Sequence, residues 1–129
     1  MKENYSDISP VQSIAAAVIK TTANGSGVDL QDYEGATVIV TTGTVTDGTH
    51  TISLEESSDN STFTAVAATD MVGSAPAIAA ADDNKDYSFG YIGSQRYIRV
   101  VTTVTGSPST GGAYAAVVLR GFPRHAPVN

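Results

Sequence analysis

Apolar and polar residues alternate with a period of two along most of this chain. Residues 36–42 (ATVIVTT) put Val38 and Val40 on one face and Thr37, Ile39 and Thr41 on the other. In residues 49–56 (THTISLEE), Ile52 and Leu54 point one way while Thr51, Ser53 and Glu55 point the other. Residues 97–105 (YIRVVTTVT) give the strongest strand signal, with Ile98, Val100 and Val104 predicted inward and Tyr97, Arg99 and Thr103 outward. Residues 87–92 form a further strand whose stripe Tyr87, Phe89 and Tyr91 reads as core rather than as an aromatic binding platform. Residues 62–67 (TFTAVA), anchored by Phe63, are predicted to return beside 49–56. Residues 113–120 (AYAAVVLR) are predicted to pair back on 97–105 through a hairpin loop at 106–112 (GSPSTGG).

Turn chemistry separates these runs. Asn24-Gly25, Asp47-Gly48, Asp59-Asn60 and Gly111-Gly112 recur at short intervals. Asp59 and Asn60 suit an Asx turn or a positive φ. Residues 13–20 (SIAAAVIK) fit a short helix or an edge strand, and the β-branched Ile14, Val18 and Ile19 favour the strand. Residues 69–81 form a crossing loop with a short strand near 77–80, and 82–86 (DDNKD) a solvated turn.

The pattern predicts an all-β fold: an antiparallel β-sandwich of jelly-roll or immunoglobulin-like type, with seven or eight strands. Val, Ile, Ala and Thr dominate and only three Leu occur, as a pleated surface prefers. A length of 129 residues makes one domain. Three segments are expected: an N-terminal arm at 1–12, the sandwich at 13–120 and a C-terminal tail at 121–129. Pro10, Pro123 and Pro127 argue against regular structure in both arms.

Charge narrows the partners. The chain has 7 basic and 13 acidic residues, a formal net charge of -6. Such a chain is a poor ligand for a phosphate backbone, so no nucleic acid is expected. The charge is uneven: residues 1–60 hold nine acids and two bases, residues 61–129 four acids and five bases. Lys85, Arg96, Arg99, Arg120 and Arg124 are candidates for a thin basic strip facing an acidic protein. The opening MKENYSDISP lacks an apolar export core. The apolar stretches 14–19 and 113–119 fall short of the roughly 20 residues of a spanning helix, so no membrane association is expected.

No residue set points to catalysis. His50 and His125 have no adjacent nucleophile, and no G-x-S-x-G occurs. His50, on a strand, reads as surface or satisfied core. Glu55 and Glu56 are strand neighbours and point to opposite faces, so they do not share a substrate. The run Asp82-Asp83-Asn84-Lys85-Asp86 lacks the Gly and Glu of a calcium loop at the required spacing. Gly25-Ser26-Gly27 lacks the third Gly of a dinucleotide loop. With zero Cys there is no thiolate site and no disulfide. The chain is therefore read as non-enzymatic, without cofactor or metal.

One composite feature carries a resemblance. Residues 52–66 (ISLEESSDNSTFTAV) and 96–100 (RYIRV) join a Ser-Asp-Asn turn, a returning Phe strand and a Tyr-Ile-Arg-Val strand. This resembles galactose-binding-like jelly rolls and small structural proteins of tailed phages. Residues 5–14 (YSDISPVQSI), 27–38 (GVDLQDYEGATV), 90–101 (GYIGSQRYIRVV) and 117–127 (VVLRGFPRHAP) resemble the phage proteins over nearly the whole chain. The sugar-binding branch is disfavoured by the absence of Trp. The phage resemblance implies a virion protein of the head-decoration or cement type, made in the host cytoplasm and placed on the capsid surface. Its implied partners are the major capsid protein and further copies of itself, as a dimer or trimer. Extended arms imply partner-binding residues Tyr5, Ile8 and Pro10 at one end and Phe122, Arg124 and His125 at the other. A carbohydrate-binding module and a tail or neck protein remain open.

Overall fold

Eleven strands form in a computed structural model that describes all residues 1–129. They are β1 (Ser9–Ile19), β2 (Ala23–Asn24), β3 (Val28–Asp29), β4 (Tyr33–Val45), β5 (Thr49–Ser57), β6 (Thr64–Ala65), β7 (Met71–Val72), β8 (Ala77–Ile78), β9 (Asp86–Tyr91), β10 (Tyr97–Thr105) and β11 (Gly112–Pro123). The first sheet has the order β1-β11-β4-β9-β7. The second has the order β2-β10-β5-β6, with β3 added to β10 and β8 to β5. All pairings are antiparallel. The architecture is the expected all-β sandwich, with five two-residue strands raising the count above seven or eight.

The inward residues of β5 fall where alternation puts them, as do Ile98 and Val100 of β10, while for β4, where alternation left Val38 or Ile39 open, Val38 and Val40 face the core. Val38, Val40, Ile52, Leu54, Ile98 and Val100 are all buried. Burying each such side chain contributes roughly 1.5–3 kcal/mol, which fixes strand register through the period of two. Phe89 and Tyr91 are core as well. Val104 is only half-buried, and Thr102 takes the fully buried place on that face.

Three expectations change. The loop at 106–111 is not a hairpin: β10 lies in the second sheet and β11 in the first, so the chain arches over the core. The β4–β5 and β9–β10 connections cross between sheets in the same way. Asp47 ties two of these arches together, since its carboxylate accepts the N–H groups of Ser109, Thr110 and Gly111. Gly111, at φ +84°, is obligatory there, because a Cβ would run into the Ile19 carbonyl. Second, the return at 62–67 shrinks to β6, and Phe63 lies beneath the Arg99 guanidinium at 4.1 Å.

Third, the arm boundaries move. Residues 9–12 belong to β1 and pair with 117–120 of β11, while β11 itself runs on to Pro123. Backbone groups on the side of β11 not taken by β4 need partners, and the uncharged segment 9–19 supplies them. Pro10 is tolerated because β1 is an edge strand. Ser13 then closes this flank: its hydroxyl accepts from the Val100 N–H at 2.8 Å and donates to the Ser26 carbonyl at 2.8 Å.

One polar chain crosses the core. His50 on β5 is fully buried, with Nε2 3.1 Å from the Asp47 carbonyl and Nδ1 2.9 Å from the Tyr114 hydroxyl. The carbonyl can only accept, so Nε2 carries the hydrogen. In the neutral ring Nδ1 then accepts from Tyr114, whose oxygen accepts from Thr102, 2.6 Å away. Tyr114 belongs to the first sheet and its two partners to the second. Burial raises the Tyr114 pKa, which keeps the phenol protonated.

Tyr114→Phe leaves the His50 and Thr102 atoms without their shared partner in a dry site. The expected loss is about 1–3 kcal/mol of unfolding free energy, read from urea denaturation, with the strand spectrum retained. The arches carry a pH dependence. Hydrogen bonds led by the Gly111 N–H lower the Asp47 pKa. A lowered native pKa means this stability is present above the unfolded carboxylate value and is lost as pH falls through the native one. Asp47→Asn should lower the melting temperature at neutral pH and narrow the gap to the parent protein in acid. A constant gap across that range would contradict the assignment.

Candidate docking surface

The two outer faces of the sandwich differ in chemistry. On the second sheet, Arg99 and Glu55 form an ion pair at 2.6 Å across β10 and β5. On the first sheet, the outward positions of β11 are Ala113, Ala115, Val117, Leu119 and Gly121. Those of β4 are Gly35, Thr37, Ile39, Thr41 and Gly43. Register sets Ala115 against Thr41, Val117 against Ile39, Leu119 against Thr37 and Gly121 against Gly35. No charged residue stands at any of these positions, in a chain of net charge -6.

At one end this face carries an apolar groove of about 530 Å³. Its floor is backbone, since Gly35 and Gly90 bring no side chain. Its walls are Phe122, Ile92 and Val72, respectively 78%, 63% and 58% exposed. Phe122 holds a positive φ of 50°, a region that bulky residues rarely enter. Its ring lies over Gly35, where a Cβ would come within 2.7 Å of Cδ2. The fold thus keeps an aromatic ring in solvent at a cost in backbone energy, an arrangement associated with functional positions.

The six residues expected to bind a partner separate into two groups. Phe122 and Arg124 flank the groove end, where Arg124 Nε donates to Glu34 at 2.5 Å and its backbone N–H to the Asp32 carbonyl. Tyr5 and Ile8 belong to a clasp between the chain ends. The Asn129 side-chain amide donates to the Tyr5 and Ile8 carbonyls at 2.6 and 2.8 Å, and the Val128 N–H to the Ser6 carbonyl. Pro10 lies opposite Leu119 in the β1–β11 ladder, and His125 is exposed just beyond β11. The two ends are therefore laid on their own domain rather than extended, because each satisfies the other's backbone groups.

The five bases do not form a free basic strip, because each is held by a partner within the chain. Lys85 pairs with Asp82, Arg96 with Asp29, Arg99 with Glu55 and Arg124 with Glu34. Arg120 donates to the Ser9 hydroxyl and the Asp29 carbonyl and covers the Tyr33 ring at 4.6 Å. The Arg96 guanidinium holds the Asp29 carboxyl below its ordinary range. Lys85, followed by the Ala79 N–H, does the same for Asp82. Sequence reasoning missed Val72 and Ile92. For Ile92 the signal was present, since Tyr87, Phe89 and Tyr91 inward leave Ser88, Gly90 and Ile92 outward.

The residues weighed for chemistry are occupied structurally. Glu55 binds Arg99, whereas Glu56 accepts from the Tyr91 hydroxyl at 2.9 Å. Burial, with Glu56 adding to it, pushes the Tyr91 pKa up to about 12. Asp83 accepts from the Val45 N–H and Asp86 from the Thr41 hydroxyl. No group of three or more His, Asp or Glu side chains is arranged to hold a metal ion. In the turn after β5, Asp59 accepts from the Thr62 and Ser61 N–H groups, which lowers its pKa to about 2.

No protein-family description matches the sequence, and no curated protein does. Among solved structures the chain is similar to the SPBc2 prophage-derived protein YomS, at 17% identity, TM-score 0.55, over 88% of this chain and 92% of that one. It is also similar to the PBSX exported protein XepA, at 19% identity, TM-score 0.54, over 88% of this chain and 37% of that one. This chain thus spans well under half the length of XepA. At these identities the likeness establishes a shared sandwich fold.

Arg124→Ala should leave the urea midpoint of the domain unchanged, because an exposed ion pair on two flexible side chains adds little. A clear drop in midpoint would show that the tail strand depends on that pair.

Proposed function

We propose that this chain is a non-enzymatic structural protein of a tailed-phage particle, which decorates and stabilises the capsid by binding the major capsid protein. The observation that carries the proposal is the outward face of β11 and β4, which bears no charged residue and ends in the Phe122, Ile92 and Val72 groove. Isolated exposed apolar residues are ordinary, but a contiguous patch on a rigid sheet marks a protein contact. The match with a prophage-derived protein over nearly its full length supports the phage assignment. The phage-protein resemblance along the sequence supports it independently.

In this reading Phe122 is the anchor and the glycine floor lets a partner's backbone approach closely. Ile92 and Val72 exclude water around the ring. The partner is a neutral or apolar segment, since no charged residue stands at the outward positions of β11 and β4. The clasped ends leave the sheet face, rather than free arms, as the binding element.

The test is co-sedimentation with emptied or expanded capsids of the phage that encodes the protein. The full chain should pellet with capsids. Phe122→Ala should weaken binding by about 2 kcal/mol, or roughly thirtyfold, while the melting temperature holds. Pelleting with tails or necks but not heads would replace the capsid reading with a tail one. Binding that ignores Phe122→Ala would remove the groove from the interface.

A further inference from the structure

We propose that a partner's polypeptide segment adds in extended form to a notch in the first sheet, hydrogen bonding to the main chain of Glu34. The proposal rests on the reading of the Phe122 groove as a protein contact, and it names the chemistry of the segment that continues beyond that groove.

The notch follows from where β9 stops. β4 begins at Tyr33, but β9 pairs with it only as far as Ala36 opposite Tyr91. Backbone groups along a paired strand point alternately to its two neighbours. The Thr42 N–H bonds the Lys85 carbonyl on the β9 side, so the even-numbered residues of this stretch face β9 and the odd-numbered ones face β11. β9 agrees, since the Ile92 N–H turns away from β4 to the Asp70 carbonyl. Beyond Ala36, Glu34 is the next residue to face that side, and Gly93 would stand opposite it if β9 continued. Instead residues 93–95 wrap the Tyr91 hydroxyl, which accepts from the Gln95 N–H at 3.0 Å and leaves no room for a Cβ at Gly93. The chain then crosses to the second sheet. The Glu34 N–H and C=O are left without a partner in the chain.

Where the ladder breaks off, a cleft of about 620 Å³ opens. Glu34, Gly35, Ala36, Tyr91 and Ile92 line both this cleft and the Phe122 groove, so the two form one continuous trough. A free donor and acceptor on one residue at a strand edge match the main chain of an extended segment. A helix or a closed sheet has spent its main-chain groups and cannot answer them. Side chains narrow the occupant further. Gln31, Ser94 and Gln95 line the cleft, and none of their side chains is bonded within the chain. Arg96 and Arg124 are paired with Asp29 and Glu34, whereas the Asp32 carboxylate beside them has no partner. The segment is therefore polar but not acidic in the cleft, and apolar where it reaches Phe122.

The experiment compares Glu34→Pro with Glu34→Ala in the full chain. Both remove the pair with Arg124, but only proline removes the N–H. The two should fold alike by circular dichroism, because that N–H bonds nothing in the free domain. In co-sedimentation with emptied capsids, Glu34→Pro should bind about tenfold more weakly than Glu34→Ala, the worth of one main-chain hydrogen bond. Equal binding by the two, with Phe122→Ala still weakened, would overturn the notch and leave the capsid reading standing. If the parent protein ignores capsids, the capsid reading fails and a displayed library of random peptides decides the notch. Peptides recovered on the parent should hold to Glu34→Ala and be lost from Glu34→Pro; a library that returns none of this kind overturns the proposal. Should Glu34→Pro not fold, hydrogen exchange at the Glu34 amide of the parent replaces it. That amide should exchange at least about tenfold more slowly in the complex than in the free protein, and an unchanged rate overturns the proposal.

Discussion

The hydroxyl of Tyr114 is the point on which the sandwich turns. It reaches from β11 in one sheet to His50 and Thr102 in the other. Hydrophobic burial brings two sheets together but says little about how they are offset, because apolar contact is non-directional. A buried hydrogen-bonded chain is directional. Slipping β11 by one residue would turn Tyr114 to solvent and orphan two buried groups at once. The same register sets Val117 against Ile39 and Gly121 against Gly35 on the other side of the sheet. The outer face is therefore a consequence of the inner network. At the top of the core Asp47 joins in twice, through its carbonyl to His50 and through its carboxylate to the arch ahead of β11.

What could be read from the chain beforehand follows the reach of each physical signal. Alternation is local, so the inward residues of β5 and the two faces of β4 and β10 were legible, and Asp59-Asn60 declared its turn. Sheet membership was not. A Gly-rich loop such as 106–111 needs the same positive-φ residues whether it folds back or arches over, and Gly106, Ser107 and Gly111 all adopt them. Only the pairing of β11 with β4, 67 to 90 residues away in sequence, distinguishes the two cases. The chain ends posed the same problem. Pro10 and Pro123 looked like breakers, yet an edge position and a strand terminus are where a missing N–H does no harm.

The candidate site was half legible for a related reason. Phe122, an aromatic between Gly and Pro near the end, stood out as an anchor, and the structure leaves it exposed. Arg124 and the other bases stood out as a possible strip, but the acidic partners of Arg96, Arg99 and Arg124 come from the opposite half of the chain. Asp29 meets Arg96 and Glu34 meets Arg124 only once β3 and β4 are in place. The imbalance between an acidic first half and a basic second half is thus mainly a folding pattern. The pairs it forms lie away from the outward positions of β11 and β4, which carry no charge, while the chain as a whole keeps its net charge of -6.

A neutral face on an acidic protein has a consequence for assembly. Self-repulsion among negatively charged copies falls off within a Debye length, roughly 8 Å in physiological salt. Contacts made through the uncharged outward positions of β11 and β4 therefore avoid desolvating charge and feel repulsion only from the flanking strands. That favours several modest contacts over one tight one. The rigidity of that face is supplied by the ladder between β11 and β4, the same ladder whose register Tyr114 fixes from inside.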